Sequence, residues 1–179
     1  MPSDVRLSFN ISPVELKDPT LCARVRTILN ESGLSPRRLE IEITESALVQ
    51  DLKAAQEVLG ALRDIGVRIA LDDFGTGYSN LYHLRNFKVD TIKIDRSFVQ
   101  SMGVERESAA IVSALLGLGK GLGLTLIAEG VETRDQEAEL AKQGCQEGQG
   151  FLFSAAVSAE TLRELSKICR PVLFRAVGS

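Results

Sequence analysis

The sequence has a single histidine, His83, and only three cysteines, Cys22, Cys145 and Cys169, which stand far apart. No Cys-x-x-Cys pair and no Cys/His cluster occurs. That argues against a zinc site and against a disulfide framework, and leaves reduced, buried thiols as the expectation. There is no basic run: 21 Lys and Arg stand against 24 Asp and Glu, a net charge of −3. Broad electrostatic binding to a nucleic acid polymer is therefore disfavoured. The N-terminal "MPSDVRLSFN" lacks the pattern of a signal peptide. The longest apolar run, "AAIVSALLGLG" at 109–119, is too short to span a bilayer and carries helical spacing, so no membrane segment is expected. Together these absences point to a cytoplasmic chain.

What is present is ordinary in bulk and regular in order. With 179 residues, 44% hydrophobic and 25% charged, the chain suffices for one domain, read here as 1–179. Short apolar runs alternate with longer periodic ones. Strands are expected at 5–11, 38–43, 67–71, 89–94 and 124–128, with a weak sixth just before "GFLF" at 150–153. Helices are expected at 19–32, 48–65, 80–87, 107–122, 134–144 and 158–168. The first of these has a stripe of Leu21, Val25, Ile28 and Leu29 and stops at Gly33. Strict alternation of this kind means parallel strands joined by right-handed crossovers, an α/β fold with an open doubly wound sheet and an eight-fold barrel as the competing architectures.

The polar residues fall at one place in this pattern. The first strand ends in Asn10, the second carries Glu42 and is followed by Glu45, and the third leads into the adjacent Asp72 and Asp73. The fourth carries Lys93 and Asp95, the fifth ends in Glu129 with Glu132 just beyond, and the sixth region offers Gln149. In a parallel α/β protein the C-terminal strand ends share one face, so these groups are expected to converge. Lys93, between Ile92 and Ile94, is a costly ammonium unless acids surround it. One lysine cannot balance Glu42, Asp72, Asp73 and Glu129, whereas hard cations such as Mg²⁺ or Mn²⁺ prefer carboxylate and amide oxygens. Several acids around a shared aspartate suggest a two-metal site of the kind that activates water against a phosphoryl group. Helix capping explains an isolated acid such as Glu45, but not Lys93 or the doubled aspartates.

The segments "FNIS" (9–12), "EITE" (42–45), "DDFGTGYSN" (72–80), "KIDRSFV" (93–99), "AEGVET" (128–133) and "GCQEGQGFLFS" (144–154) resemble, in order and spacing, the successive signatures of EAL domains. The resemblance implies a (β/α)8 TIM-type barrel, here incomplete with about six strand–helix units. It also implies a bacterial signalling activity, the hydrolysis of cyclic di-GMP to linear pGpG with Mg²⁺ or Mn²⁺. By resemblance Asn10, Glu42 and Asp72 are metal ligands, and Asp73 and Glu129 complete a second metal position. Lys93 orients or deprotonates the attacking water, with Glu129 beside it in the catalytic set. Gln149 holds substrate or its water, and Asp95 lies near a guanine. Glu45 and Glu132 brace the loop 74–78, which in the family links metal binding to a homodimer. An N-terminal sensory or GGDEF domain is an expected companion in a larger cytoplasmic or sensor protein.

Two departures qualify that picture. The family's Glu-Ala-Leu motif lies upstream of the Asn10 strand, but the nine residues before Asn10 include no glutamate. The chain is thus read as the C-terminal two-thirds of an EAL-type domain, without its first strands. After Ser154 stand Ala155 and Ala156, where the family has a basic residue and a proline. The leading reading is a cyclic-di-GMP phosphodiesterase domain that is weak or silent alone. The alternative is a catalytically silent EAL module that binds cyclic di-GMP or a protein partner. A third is a dimerisation segment built on 74–87, where Phe74, Tyr78, Leu81, Tyr82 and Leu84 form an expected apolar patch. A glycerophosphodiester hydrolase barrel would want histidines that are missing.

Overall fold

The computed structural model describes residues 5–75, 84 and 87–168. The chain divides into two compact units, one formed by Arg6–Thr91 and the other by Met1–Val5 with Ile92–Ser179.

In the first unit three strands run in chain order: β1 (Leu7–Asn10), β2 (Leu39–Thr44) and β3 (Arg68–Phe74). They are parallel, with Asn10 level with Glu42 and Thr44 level with Asp72. Because side chains alternate along a strand, this register puts Ser8, Asn10, Glu40, Glu42, Arg68 and Asp72 on one face. The other face carries Ile41, Ile43, Ile69 and Leu71, all fully buried. Helix α2 (Glu45–Gln50) packs on β2 and β3, and α3 (Leu52–Asp64) packs on β3 and on α1 (Leu21–Ser32). Burial on both faces is why β3 reads as a continuous apolar run from Ile69 to Leu71. Helix α1 stops where Gly33 takes φ 66, the left-handed conformation that costs glycine little.

The second unit holds most of β4 (Thr91–Ile94), then α4 (Arg96–Ser101), α5 (Arg106–Leu122), β5 (Thr125–Ala128), α6 (Arg134–Lys142), β6 (Glu147–Gly148) and α7 (Ala159–Ile168). Strands β5 and β6 pair in parallel. Thr133 and Gln136 close a reciprocal capping box at the start of α6.

Several expectations are corrected. The helix expected at 48–65 is two helices: it breaks at Asp51, whose φ −154 and ψ 86 are not helical and whose Oδ1 accepts from the Ala54 amide at 3.1 Å. Asp51 is an N-cap, and its competition with the helical backbone wins over the apolar periodicity. Ile28 is 62% exposed and does not belong to the buried stripe of Leu21, Val25 and Leu29. The third strand continues past Leu71 to Phe74, so the paired aspartates lie within it. Helix α4 follows β4 immediately, where no helix was expected. Cys145 is buried as expected, but Cys22 is only partly so. Among the described residues no helix is long and apolar enough to cross a membrane.

Phe74 and Leu84 are buried, at 1% and 6% exposure, so neither can contribute to an exposed apolar patch. Tyr78, Leu81, Tyr82 and His83 lie outside the described residues, as do Gly77 and Cys169.

Candidate active site

In the first unit the strand ends present oxygen donors. Asn10 closes β1 and is exposed, while Glu42 on β2 and Asp72 on β3 are buried at 8% and 9% exposure. The donors are staggered in depth. Asn10 pairs with Glu42, but Glu42 pairs with Ala70, so Asp72 lies two residues further along on the same face. Asp72 Oδ1 accepts a hydrogen bond from the Asp73 amide at 3.1 Å. Asp73 itself takes φ 54, a left-handed conformation rare for a residue with a side chain and one that clusters at functional sites. This backbone twist explains how two adjacent aspartates in a strand need not alternate faces in the usual way. Glu45 opens α2 and is buried at 7% exposure, where its charge favours the helix N-terminus.

The same sheet face carries a second set of charges that sequence reading passed over. Glu40 is 1% exposed. Its Oε2 accepts from Arg68 Nε at 3.1 Å and from Thr91 Oγ1 at 2.8 Å, and Arg68 Nη2 donates to Thr91 Oγ1 at 3.2 Å. The signal was available: "RLEIEI" places two glutamates on one face of an apolar strand, and Arg68 opens the next strand.

In the second unit Lys93, at 3% exposure, meets Glu129 Oε1 with its Nζ at 2.5 Å. Glu129 directly follows β5, and its amide donates to the Ile94 carbonyl at 3.1 Å, which fixes the two side chains on neighbouring strand ends. Asp95 caps α4: its Oδ1 accepts from the Ser97 amide at 2.9 Å and from the Ser97 hydroxyl. Glu132 is exposed and accepts from Gln100 Nε2 at 2.9 Å. Gln149 is exposed just past β6, held through its backbone by Ala128 and Val131. The approach is so close that a Cβ on Gly150 would come within 2.2 Å of the Val131 carbonyl oxygen, which requires glycine there. Of the loop 74–78 that Glu45 and Glu132 were expected to brace, residues 76–78 lie outside the described residues.

The described donor set fits a hard divalent cation. It consists of carboxylate and amide oxygens, two of the carboxylates are buried, and neither sulfur nor imidazole takes part. Cys145 is no ligand candidate: burial pushes its thiol up to about 12, far from the thiolate form.

Comparison with known proteins shows the family of the chain. Among curated relatives, a signalling protein of Caulobacter vibrioides is 46% identical over 158 residues, 88% of this chain and 20% of that protein. MucR of Pseudomonas aeruginosa, a bifunctional diguanylate cyclase/cyclic di-GMP phosphodiesterase, is 39% identical over 160 residues, 89% of this chain and 23% of that protein. The chain thus spans about a fifth of the length of these curated relatives. Among solved structures, the PaMucR phosphodiesterase in complex with c-di-GMP superposes with a TM-score of 0.85 at 39% identity, covering 89% of this chain and 65% of that one. Klebsiella pneumoniae BlrP1 in a manganese/cy-diGMP complex gives 0.79 at 36% identity, covering 84% and 38%. These neighbours carry the α/β barrel fold, of which the present chain holds six strands among its described residues. The EAL domain model matches residues 1–156, and the chain belongs to the EAL domain family.

Proposed function

We propose that the chain is a cyclic-di-GMP phosphodiesterase domain, hydrolysing cyclic di-GMP to linear pGpG within a larger bacterial signalling protein. The observation that carries the reading is the buried Lys93–Glu129 pair at 2.5 Å, in a chain that resembles c-di-GMP-bound structures at 36–39% identity. In this reading Asn10, Glu42, Asp72, Asp73 and Glu129 hold Mg²⁺ or Mn²⁺, which when bound supplies Lewis acidity at a phosphoryl oxygen. Lys93 orients the attacking water or, as the neutral amine, takes its proton, and Glu129 holds the ammonium that results. Asp95 and Gln149 lie along the substrate, and Glu45 and Glu132 support the loop after Asp73. Homodimerisation through the segment after Asp73 and a companion sensory or GGDEF domain belong to the same proposal.

One second reading has a specific observation behind it. Ala155 and Ala156 are exposed and offer no cationic side chain beside Ser154, whose hydroxyl donates to the Ala155 carbonyl instead of reaching outward. A module that binds cyclic di-GMP without cleaving it would tolerate that loss. The two readings separate in one assay, pGpG release with Mn²⁺ by wild type and by Lys93→Met. Turnover lost on the order of 100-fold or more in the variant supports hydrolysis with Lys93 in the proton-handling role. Cyclic di-GMP binding without release in the wild type supports the silent module.

A further inference from the structure

The first unit has a second polar concavity at the opposite end of its strands. A cavity of about 360 Å³ is lined by Arg37, Arg63, Gly66, Val67, Arg68 and Asp90. Arg37 stands two residues before β2, Gly66 and Val67 lead into Arg68 at the start of β3, and Asp90 directly precedes Thr91. Four residues of strand separate Arg68 from Asp72, roughly 13 Å at the usual rise of an extended chain. This concavity is therefore distinct from the acidic strand ends.

Its charge does not balance. Three guanidinium groups line it against one carboxylate, Asp90. Glu40 stands behind Arg68, so a surplus of one positive charge remains even when it is counted. Asp90 Oδ2 accepts from the Ile69 amide at 2.9 Å. Arg63 Nη1 stands 4.0 Å from the same oxygen, an ion pair beyond hydrogen-bond distance. The nitrogen is shielded from solvent and finds no hydrogen-bond partner among the described residues. A buried donor left without an acceptor is costly, and native structures seldom leave one so. Arginines converging on a space with surplus positive charge form the arrangement that recognises planar or tetrahedral oxyanions through paired N–H donors.

We propose that this cavity binds a small oxyanion of the phosphate class, either free phosphate or the phosphate group of a phosphomonoester. Arg63 and Arg37 donate to it from two sides, and Arg68 supplies further positive charge while its Nε stays on Glu40. The volume exceeds that of phosphate alone and falls at the low end for small-molecule sites, so a sugar-sized extension fits. The proposal is independent of hydrolysis at the acidic strand ends.

The test is a titration of the full chain, without divalent metal, with inorganic phosphate and with ribose 5-phosphate, against sodium chloride at equal ionic strength. Amide resonances of Gly66, Val67, Arg68 and Asp90 report on the cavity. The expected result is saturable one-to-one binding of at least one probe, weakened tenfold or more by Arg63→Gln and by the exposed Arg37→Gln. The same binding should be unchanged by Asp72→Asn. Tighter binding of ribose 5-phosphate identifies a phosphomonoester as the ligand, and equal or tighter binding of phosphate identifies the free ion. Shifts matched by chloride, or unaffected by both arginine substitutions, would overturn the site. Arg37→Gln keeps the test decisive if the Arg63 variant fails to fold.

Discussion

Among the described residues the Glu40–Arg68 and Lys93–Glu129 ion pairs each hide one partner, and they are built in opposite ways. In the Glu40–Arg68 pair the acid is hidden, with 2% of its side chain exposed, and the cation reaches toward solvent at 27%. In the Lys93–Glu129 pair the cation is hidden at 4% and the acid is the more open partner at 17%. The cations also differ in kind. A guanidinium keeps its proton in proteins and forks between Glu40 and Thr91, whereas an ammonium can give up a proton. The first pair is suited to hold strands in register, and the second to handle a proton in a shielded place. Burial of a charge thus does not by itself mark chemistry; the identity of the buried cation and the position of the pair along the strands do.

Substitution should separate the two roles. The largest effect is expected from Glu129→Ala, which removes the carboxylate facing the deeply buried Lys93. Breaking a buried pair from one side costs about 3–5 kcal/mol, and urea unfolding should show it. Lys93→Met, which fills the same space without charge, should cost far less stability while removing the group proposed to handle the proton. If both variants unfold equally, the contrast between a hidden ammonium and an open acid is wrong.

A smaller effect is expected from Glu40→Gln. The amide can keep one hydrogen bond from Thr91 or Arg68 but loses the charge, and Arg68 can turn partly to solvent, so a loss of about 1–3 kcal/mol should follow. Metal binding at the acidic strand ends should change little once that loss is allowed for. A loss of metal affinity as large as that from an acid of the strand ends would mean that the first pair is part of the site.

A further effect concerns pH. Burial raises the Cys145 thiol from 9.0 to about 12, so the folded protein holds that proton after the unfolded chain has released it. The group's contribution is complete below pH 9 and is lost as pH rises from about 9 to 12. Unfolding measured across that range should show a slope in the wild type that Cys145→Ala lacks. An identical slope in both would place the thiol nearer to solvent.

Strand positions and the helix–strand alternation were legible because parallel strands buried on both faces leave continuous apolar runs such as the "IAL" of β3. Asn10, Glu42, Asp72, Lys93 and Glu129 were legible because polar groups ending or interrupting such runs are costly unless used. Other features escaped for local reasons. Asp51 splits a helix through its own side chain, which apolar periodicity does not register. Helix α4 is six residues long, too short for apolar periodicity to register. The burial of Phe74 and Leu84 depends on tertiary packing, and a short apolar segment reads the same whether it faces solvent or core. The Glu40–Arg68–Thr91 cluster joins three strand starts far apart in sequence, a contact that register alone reveals.

The central claim is that the acidic strand ends hold a hard divalent cation, and calorimetric titration with Mn²⁺ tests it most directly. Affinity for such cations follows the number of charged oxygen ligands. Wild type is predicted to give a saturable binding heat, and Asp72→Ala to weaken it by about tenfold or more. Equal heats for the two proteins would contradict the account.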